Sequence, residues 1–529
     1  MKQRAGADEK RNFRDFKEDF SLESFTQCTD FNPIEIYAYY IGRCINTMEN
    51  GVFLKYYLSY PIKYEKHQAE KIRESFEKGL KKSLPRHVFD DEKTAKMFKV
   101  ELRASEPCAY ALSTLKSYGF FKSAKLDKPV YYGVFDFGGG TTDFDFGKWE
   151  SANPKFFYKM THFSNGGDKF LGGENLLELL AFEAYAQNFE TLKEKDIAIA
   201  KPNYDRIDTQ RFGSFKQNSR EARLNLQTIA SSLRPFLENL NADIVEKIEE
   251  NEEFETDKFE KNFKIALFDR NGGEKEENEF EVDYKELLNL LKDKIDDGVA
   301  NFFAGFSKVM AENIDNQCRA FHIFLGGNAS KSVLVKQAFE NAKEKELKDY
   351  KQKTSKEDFT FILYEPLGTE ASGKQILELT GEDVSKIPPY LKTTCKTGVA
   401  FGILESRPRA GGIERPSINS NPVFKYDLGI EREGKFHSRI SRDSLKPNEY
   451  QIFQTKEEWG GFDGLEIRYS DKPLANTNTL NIQDAQLIFI ALEEHEEVEV
   501  KVCCVDSQSI KVGLFKGDQL IYESEVEKL

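Results

Sequence analysis

The sequence predicts an α/β fold that gives way, past residue 423, to an all-β region, and three observations predict it. A β-like run over 52–60 stops at Pro61 and leads into Ala69, Ile72, Phe76 and Leu80, spaced at threes and fours, so a strand precedes an amphipathic helix. A second unit of the same kind reads as a strand over 321–325, the pair Gly326 and Gly327, and a helix from about Ser332. Beyond 422 the pattern changes to short β-prone runs at 450–453, 465–469, 487–492 and 498–505, separated by turn residues.

The remaining elements follow in order. Residues 1–31 are polar and are expected to lie outside the core, while an apolar segment over 34–45 has helical spacing. At 130–149, Val134, Phe135 and Phe137, then Phe144 and Phe146, flank a run of glycines and predict a hairpin; a helix is expected over 175–187. The charged stretch 203–283 predicts helices interrupted by a turn at Asn271, Gly272 and Gly273. Leu288, Leu291, Ile295, Val299, Phe302, Phe306 and Val309, spaced 3, 4, 4, 3, 4 and 3, predict a helix with one face on a sheet. Three prolines and a Gly pair mark 407–422 as a linker. The expected division is therefore a polar segment at 1–31, a domain at 32–406, the linker at 407–422 and a β-rich domain at 423–529.

Composition bounds the function. At 529 residues the chain exceeds what one hydrophobic core serves, since single cores stop growing near ~250–300 residues. A net charge of −14 argues against a nonspecific nucleic-acid binder, whose phosphate affinity is built from clustered Lys and Arg. The seven cysteines are scattered without a C-x-x-C pair and the six His without H-E-x-x-H, so no zinc or redox centre is expected and a reduced, cytoplasmic setting fits. The first twenty residues lack an apolar core, so no secretory signal is expected, and apolar runs such as 487–492 fall far short of the ~20 residues that span a bilayer.

The strongest local signal is Asp136-Phe137-Gly138-Gly139-Gly140-Thr141-Thr142-Asp143, set between two strands. Consecutive glycines let backbone N–H groups approach an anion closely, and phosphate is the natural guest. Asp136 at one strand end and Asp143 at the next strand's start can hold a hydrated Mg²⁺, and the Thr141 hydroxyl can reach a terminal phosphate. Downstream, Gly166-Gly167-Asp168-Lys169-Phe170-Leu171-Gly172-Gly173-Glu174-Asn175 leads into a helix whose orphan N–H groups and dipole favour negative charge. Either motif alone is equally a flexible turn.

In order, these motifs resemble the Hsp70 (DnaK) chaperone family of the actin-like ATPase superfamily, whose second phosphate motif reads D-L-G-G-G-T-x-D and is followed by a helix start G-D-x-x-L-G-G-E. Ser105-Glu106-Pro107 with Ala109, Ala111 and Leu112 looks like the family's connecting motif N-E-P-x-A-A-A-x, and Ile323-Phe324-Leu325-Gly326-Gly327-Asn328 looks like its adenosine motif. The resemblance covers about 32–404 and implies an actin-like (ribonuclease H-like) ATPase core that binds ATP or ADP with Mg²⁺ and hydrolyses ATP by in-line attack of water. By it, Glu106 positions the water or metal shell, Asp136 and Asp143 serve the metal, and Gly138, Gly139, Gly140 and Thr141 meet the phosphates. Gly172, Gly173 and Glu174 form the helix start, and Gly326, Gly327 and Asn328 face the nucleoside. Arg223, in Arg220-Glu221-Ala222-Arg223, looks like part of the family's adenosine-contacting helix. Asp427-Leu428-Gly429-Ile430-Glu431 resembles the opening of the family's substrate-binding domain, which implies a β-sandwich-like region that binds unfolded polypeptide or a co-chaperone.

The sequence also departs from that pattern. The family's opening hairpin, D-x-G-T-T/S-x-S, has no match in 1–60, and the catalytic Lys downstream of it is absent too, so an incomplete first lobe and slow or no ATP turnover are expected. Asn328-Ala329-Ser330 stands where the family has S-T-R, leaving the base without its stacking Arg, and Lys396 stands where an acid precedes the final helix at Gly398. No helical lid is expected before the chain ends at Leu529. Two further readings use the same residues: a non-catalytic pseudo-ATPase or scaffold with a degenerate nucleotide site, and an actin-like filament or segregation ATPase.

Overall fold

A computed structural model describes residues 32–529 apart from 49–50, 61–65, 122–125, 127, 153–156, 205–209, 253–258, 261, 314–317, 355–357, 408–411, 415–423 and 462. The expectation for 1–31 and most of the expected linker lie outside the described residues. The chain divides into two compact units, Met1–Lys116 with Ala152–Lys159 and Thr397–Ser420, and Ser117–Ser151 with Met160–Lys396 and Asn421–Leu529.

In the first unit the Asn32 side chain accepts hydrogen bonds from the N–H groups of Ile34 at 3.0 Å and Glu35 at 3.3 Å, capping helix α1 (Pro33–Met48). Strand β1 (Lys55–Tyr60), helix α2 (Lys66–Ser83), strand β2 (Lys99–Ser105) and helix α3 (Glu106–Ser117) follow. β1 and β2 run parallel with Tyr56 beside Val100, and Ala38, Tyr56, Leu80 and Val100 close a small core. Parallel strands need such a crossover helix, so the strand-then-helix reading of 52–80 is met.

The second unit opens with the expected hairpin, β3 (Val130–Phe137) and β4 (Thr142–Ser151), followed by β5 (Tyr158–Asp168), α4 (Gly173–Gln187) and α5 (Arg220–Asn239). The turn at 271–273 joins two strands, β6 (Asn262–Phe268) and β7 (Glu274–Glu281), where the sequence predicted helices. Asp269 fixes that turn by accepting from the N–H groups of Asn271 at 2.9 Å and Gly273 at 2.8 Å, with Gly272 at φ 84°. Next come α6 (Tyr284–Asn313), β8 (Ala320–Gly326), α7 (Val333–Thr354) and β9 (Thr360–Tyr364). The strands order as β5-β4-β3-β8-β9, with β3, β8 and β9 parallel. All seven predicted core positions of α6 are at most 2% exposed; Phe302 meets Phe146 at 5.0 Å between ring centres, and Phe306 meets Phe321 at 4.7 Å.

The chain re-enters the first unit through α8 (Gly398–Glu405) and β10 (Ile413–Glu414), which pairs in parallel with Tyr158 and Lys159. The C-terminal region then folds into strands β11 (Asp427–Arg432), β12 (Lys435–Ile440), β13 (Gln451–Gln454), β14 (Gly464–Ser470), β15 (Gln486–Ala491), β16 (Glu499–Cys504), β17 (Ser509–Lys516) and β18 (Gln519–Glu523). They form two antiparallel sheets, β12-β11-β14-β15 and β13-β16-β17-β18. Leu428, Ile467 and Ile490 of the first sheet and Phe453, Val500 and Val512 of the second share one apolar core. Within the second unit this region touches α6: the Leu474 N–H donates to the Asn301 side-chain oxygen at 3.3 Å, and Lys308 pairs with Asp443. The protein is thus mixed α/β with several sheets, and among the described residues no helix is long and apolar enough to cross a membrane.

Candidate functional site

Parallel strands β3 and β8 end side by side, Asp136 being paired with Gly326, so the glycine runs that follow them emerge at one edge of the sheet. Ligands of open α/β sheets sit beyond such carboxyl ends. Across the hairpin Asp136 is the register partner of Asp143, which places the two carboxylate residues opposite each other on adjacent strands.

The glycine loop between them is held by its carbonyls. The N–H groups of Gly173 and Glu174 donate to the oxygens of Gly138 at 3.1 Å and Gly139 at 2.7 Å, and the Asn175 side-chain amide donates to the Gly140 oxygen at 2.7 Å. The first turn of α4 therefore spends orphan donors on the loop. Gly138 N–H closes the turn onto the Thr141 oxygen at 2.9 Å, whereas Gly139 and Gly140 are exposed and their N–H groups make no hydrogen bond among the described residues. A loop whose acceptors are tied down and whose donors face solvent is arranged for an anion. Thr141 hydrogen-bonds Asp143 at 3.2 Å through its hydroxyl, and the buried Thr142 hydroxyl donates to the Leu171 oxygen at 2.6 Å.

Close approach explains two glycines. A Cβ on Gly172 would lie 2.3 Å from the Gly140 carbonyl carbon, so only glycine lets α4 seat against the loop. Gly327 has φ 75°, and a Cβ there would stand 2.1 Å from the Phe137 oxygen and 2.8 Å from Asp136 Oδ1. The Asp136 carboxylate is thereby packed against the second glycine motif. Ala329, in the turn after Asn328, faces Gly173 with 3.6 Å to the position of its Cβ. The 138–140 loop, the α4 start and the 326–328 motif are thus brought together.

Other predicted residues behave differently. Glu174 contributes its backbone; its carboxylate is held by both terminal nitrogens of Arg234, at 2.8 and 2.6 Å, and this hydrogen-bonded pairing lowers its pKa. Arg223 is exposed and donates to the Asn218 side chain at 2.9 Å. It lies eleven residues before Arg234 on α5, roughly 16 Å along the helix. Glu106 belongs to the other unit, where it is the first residue of α3, directly after β2, and Pro107, Ala109, Ala111 and Leu112 behind it are buried.

No family model matches the chain, and no curated protein matches it. The fit to a nucleotide is therefore judged on the residues. Among the described residues no group of three or more His, Cys, Asp and Glu could hold a metal ion. Ser330 is 2% exposed and its hydroxyl has no partner among the described residues, a buried polar group next to the 326–328 motif that a ligand or water would satisfy. Beside it Lys331 hydrogen-bonds the Cys395 thiol, whose pKa burial raises and to which the Asp136 charge also contributes. Arg234 and Lys331 lie outside the sequence motifs, and Thr142 and Asn175 lie inside them without an expected role; only the fold shows what these side chains support.

Proposed function

We propose that the chain is an Hsp70-like ATP-binding protein, built on an actin-like ATPase core, that couples nucleotide state to the handling of polypeptide by its C-terminal β-sandwich-like region. One observation carries the reading: the 138–140 loop has all three carbonyls tied to the first turn of α4 while the Gly139 and Gly140 donors stay open, between Asp136 and Asp143. Those donors would take phosphate oxygens, and the two carboxylates would hold the hydrated Mg²⁺ of ATP or ADP, which neutralises phosphate charge when bound. Gly327 and the unpartnered Ser330 hydroxyl would meet the nucleoside side.

The test is a thermal shift with Mg·ADP and Mg·ATP at millimolar concentration. A ligand that binds only the folded state stabilises it by about 2.7 kcal/mol at a hundredfold excess over Kd. Asp136→Asn should reduce the shift with Mg²⁺ more than the shift in EDTA, because it removes one metal-facing charge and leaves the loop donors. No shift in the unmodified protein would reject nucleotide binding and leave the scaffold reading.

A further inference from the structure

We infer that Arg234 is a positioning residue for the 138–140 loop: it holds and neutralises the Glu174 carboxylate, so that an anion can approach the open Gly139 and Gly140 donors. The inference rests on the reading of that loop as a phosphate site and concerns the charge beside it. Glu174 borders Gly139 twice. Its N–H donates to the Gly139 oxygen at 2.7 Å, and its Cγ lies 3.8 Å from where a Gly139 Cβ would stand. The carboxylate is one bond beyond that Cγ, and Gly139, Gly140 and Glu174 are all exposed, so a full negative charge stands on the solvent side of the loop. Left bare, it would oppose any anion drawn to the loop donors.

Arg234 answers that charge. Its two terminal nitrogens hold the two Glu174 oxygens at 2.8 and 2.6 Å, the forked match of a guanidinium to a carboxylate, and Glu238, one turn further along α5, approaches at 3.5 Å. Hydrogen bonding from Arg234 lowers the Glu174 pKa, so the acid stays ionised and only a cation relieves its field. The cation is delivered from a fixed base: Leu233 and Phe236, which flank it in sequence, are 0% exposed and share a core with Leu177 and Leu180 of α4. With 39% of the Arg234 side chain and 60% of that of Glu174 exposed, the pair adds little to folding, and apolar packing already joins α4 to α5. What the pair changes is the charge that an arriving anion meets.

The experiment titrates the full chain calorimetrically with Mg·ADP and with inorganic phosphate, at low and at physiological salt, in the unmodified protein, Arg234→Gln, Arg234→Lys, Glu174→Gln and the double variant Arg234→Gln with Glu174→Gln. At low salt Arg234→Gln should weaken both ligands roughly three- to tenfold, Glu174→Gln should tighten both by a similar factor, and the double variant should return to the unmodified affinity. Arg234→Lys should keep most of the affinity, because it keeps the charge. These differences should shrink as salt is raised. A pair that merely braces α4 would weaken binding in both single variants, with no recovery in the double variant and little dependence on salt; that pattern overturns the proposal. So does Glu174→Gln weakening Mg·ADP while leaving phosphate unchanged, which would make Glu174 a partner of the metal. Binding that appears only in Glu174→Gln supports the proposal. If no variant binds either ligand, the phosphate reading of the loop and this inference fall together; if the unmodified protein binds but the order of affinities differs, the inference alone falls. Should Arg234→Gln not fold, Glu174→Gln decides it: tighter binding supports shielding and weaker binding rejects it.

Discussion

Gly139 and Gly172 are both glycines of the candidate site, yet they are constrained for opposite reasons. At Gly139 the nearest atom to an added Cβ is Glu174 Cγ at 3.8 Å, so the free protein has room for a side chain, and under the proposed function glycine serves the ligand's approach. At Gly172 the neighbour is loop backbone at 2.3 Å, a separation no real Cβ shows. Gly139→Val should therefore leave the ligand-free melting temperature within about 1 °C, as surface substitutions do, while abolishing the Mg·ADP shift. Gly172→Ala should lower the ligand-free melting temperature and weaken nucleotide binding together, since overpacking costs typically ~1–3 kcal/mol and here displaces the loop. Scanning calorimetry of the two variants with and without Mg·ADP separates the cases. A Gly139→Val protein that keeps its shift places nucleotide elsewhere. Motif spacing reveals both glycines equally, but only the contact geometry tells which one serves the fold.

At the scale of single elements, legibility followed the strength of the apolar pattern. α6 declares itself through seven apolar positions, all buried, whereas β7 reads EKEENEFE and buries only Asn278 and Phe280, so its alternation is hidden under charge and the sequence predicts helix there. β8 was legible as a strand, but nothing in its sequence shows that His322 would sit edge-on to Phe120 with Nδ1 2.9 Å from the Tyr364 hydroxyl. Burial pushes that imidazole down from 6.5 to about 4. Because its folded pKa lies below the unfolded one, the unfolded chain binds the proton first. The stability linked to neutral His322 is complete above about pH 6.5 and declines as pH falls toward about 4, by at most about 3 kcal/mol. His322→Phe keeps the ring and removes the titration. Its melting temperature should start lower at pH 7, by the equivalent of ~1 kcal/mol for the lost Tyr364 bond, and fall less than the unmodified protein's between pH 6.5 and 5. Parallel pH profiles for the two proteins in that window would remove His322 as the cause.

Across the whole molecule the strand and helix periodicities convey the α/β class and the β-rich end, while the contacts that tie distant segments are invisible in sequence. Glu174 finds Arg234 sixty positions on, and Asp168 finds Lys472 in the C-terminal β-region, because side chains so far apart in sequence leave no periodic trace. The same map predicts how the second unit melts. The α/β sheet and α6 share one apolar core containing Phe302, and β11 to β17 share another containing Ile467; the links between them through Leu474, Lys308 and Lys472 are polar, and Pro473 beside Gly166 adds a small apolar contact. Cooperativity is carried chiefly by apolar burial, so the two cores should unfold as separable units. Phe302→Ala removes a ring that is 0% exposed and should cost ~3–5 kcal/mol; Ile467→Ala, also at 0%, should cost ~2–5 kcal/mol. In a region of about 100 residues each kcal/mol moves the midpoint by roughly 4–8 °C, so Ile467→Ala should lower the sandwich transition by about 10 °C or more. Calorimetry should resolve two transitions, with Ile467→Ala moving one and Phe302→Ala the other. Mg·ADP should raise mainly the transition that Phe302→Ala lowers, since the glycine loop lies on that core. A single transition lowered equally by both substitutions would mean that the polar contacts bind the two cores into one cooperative unit.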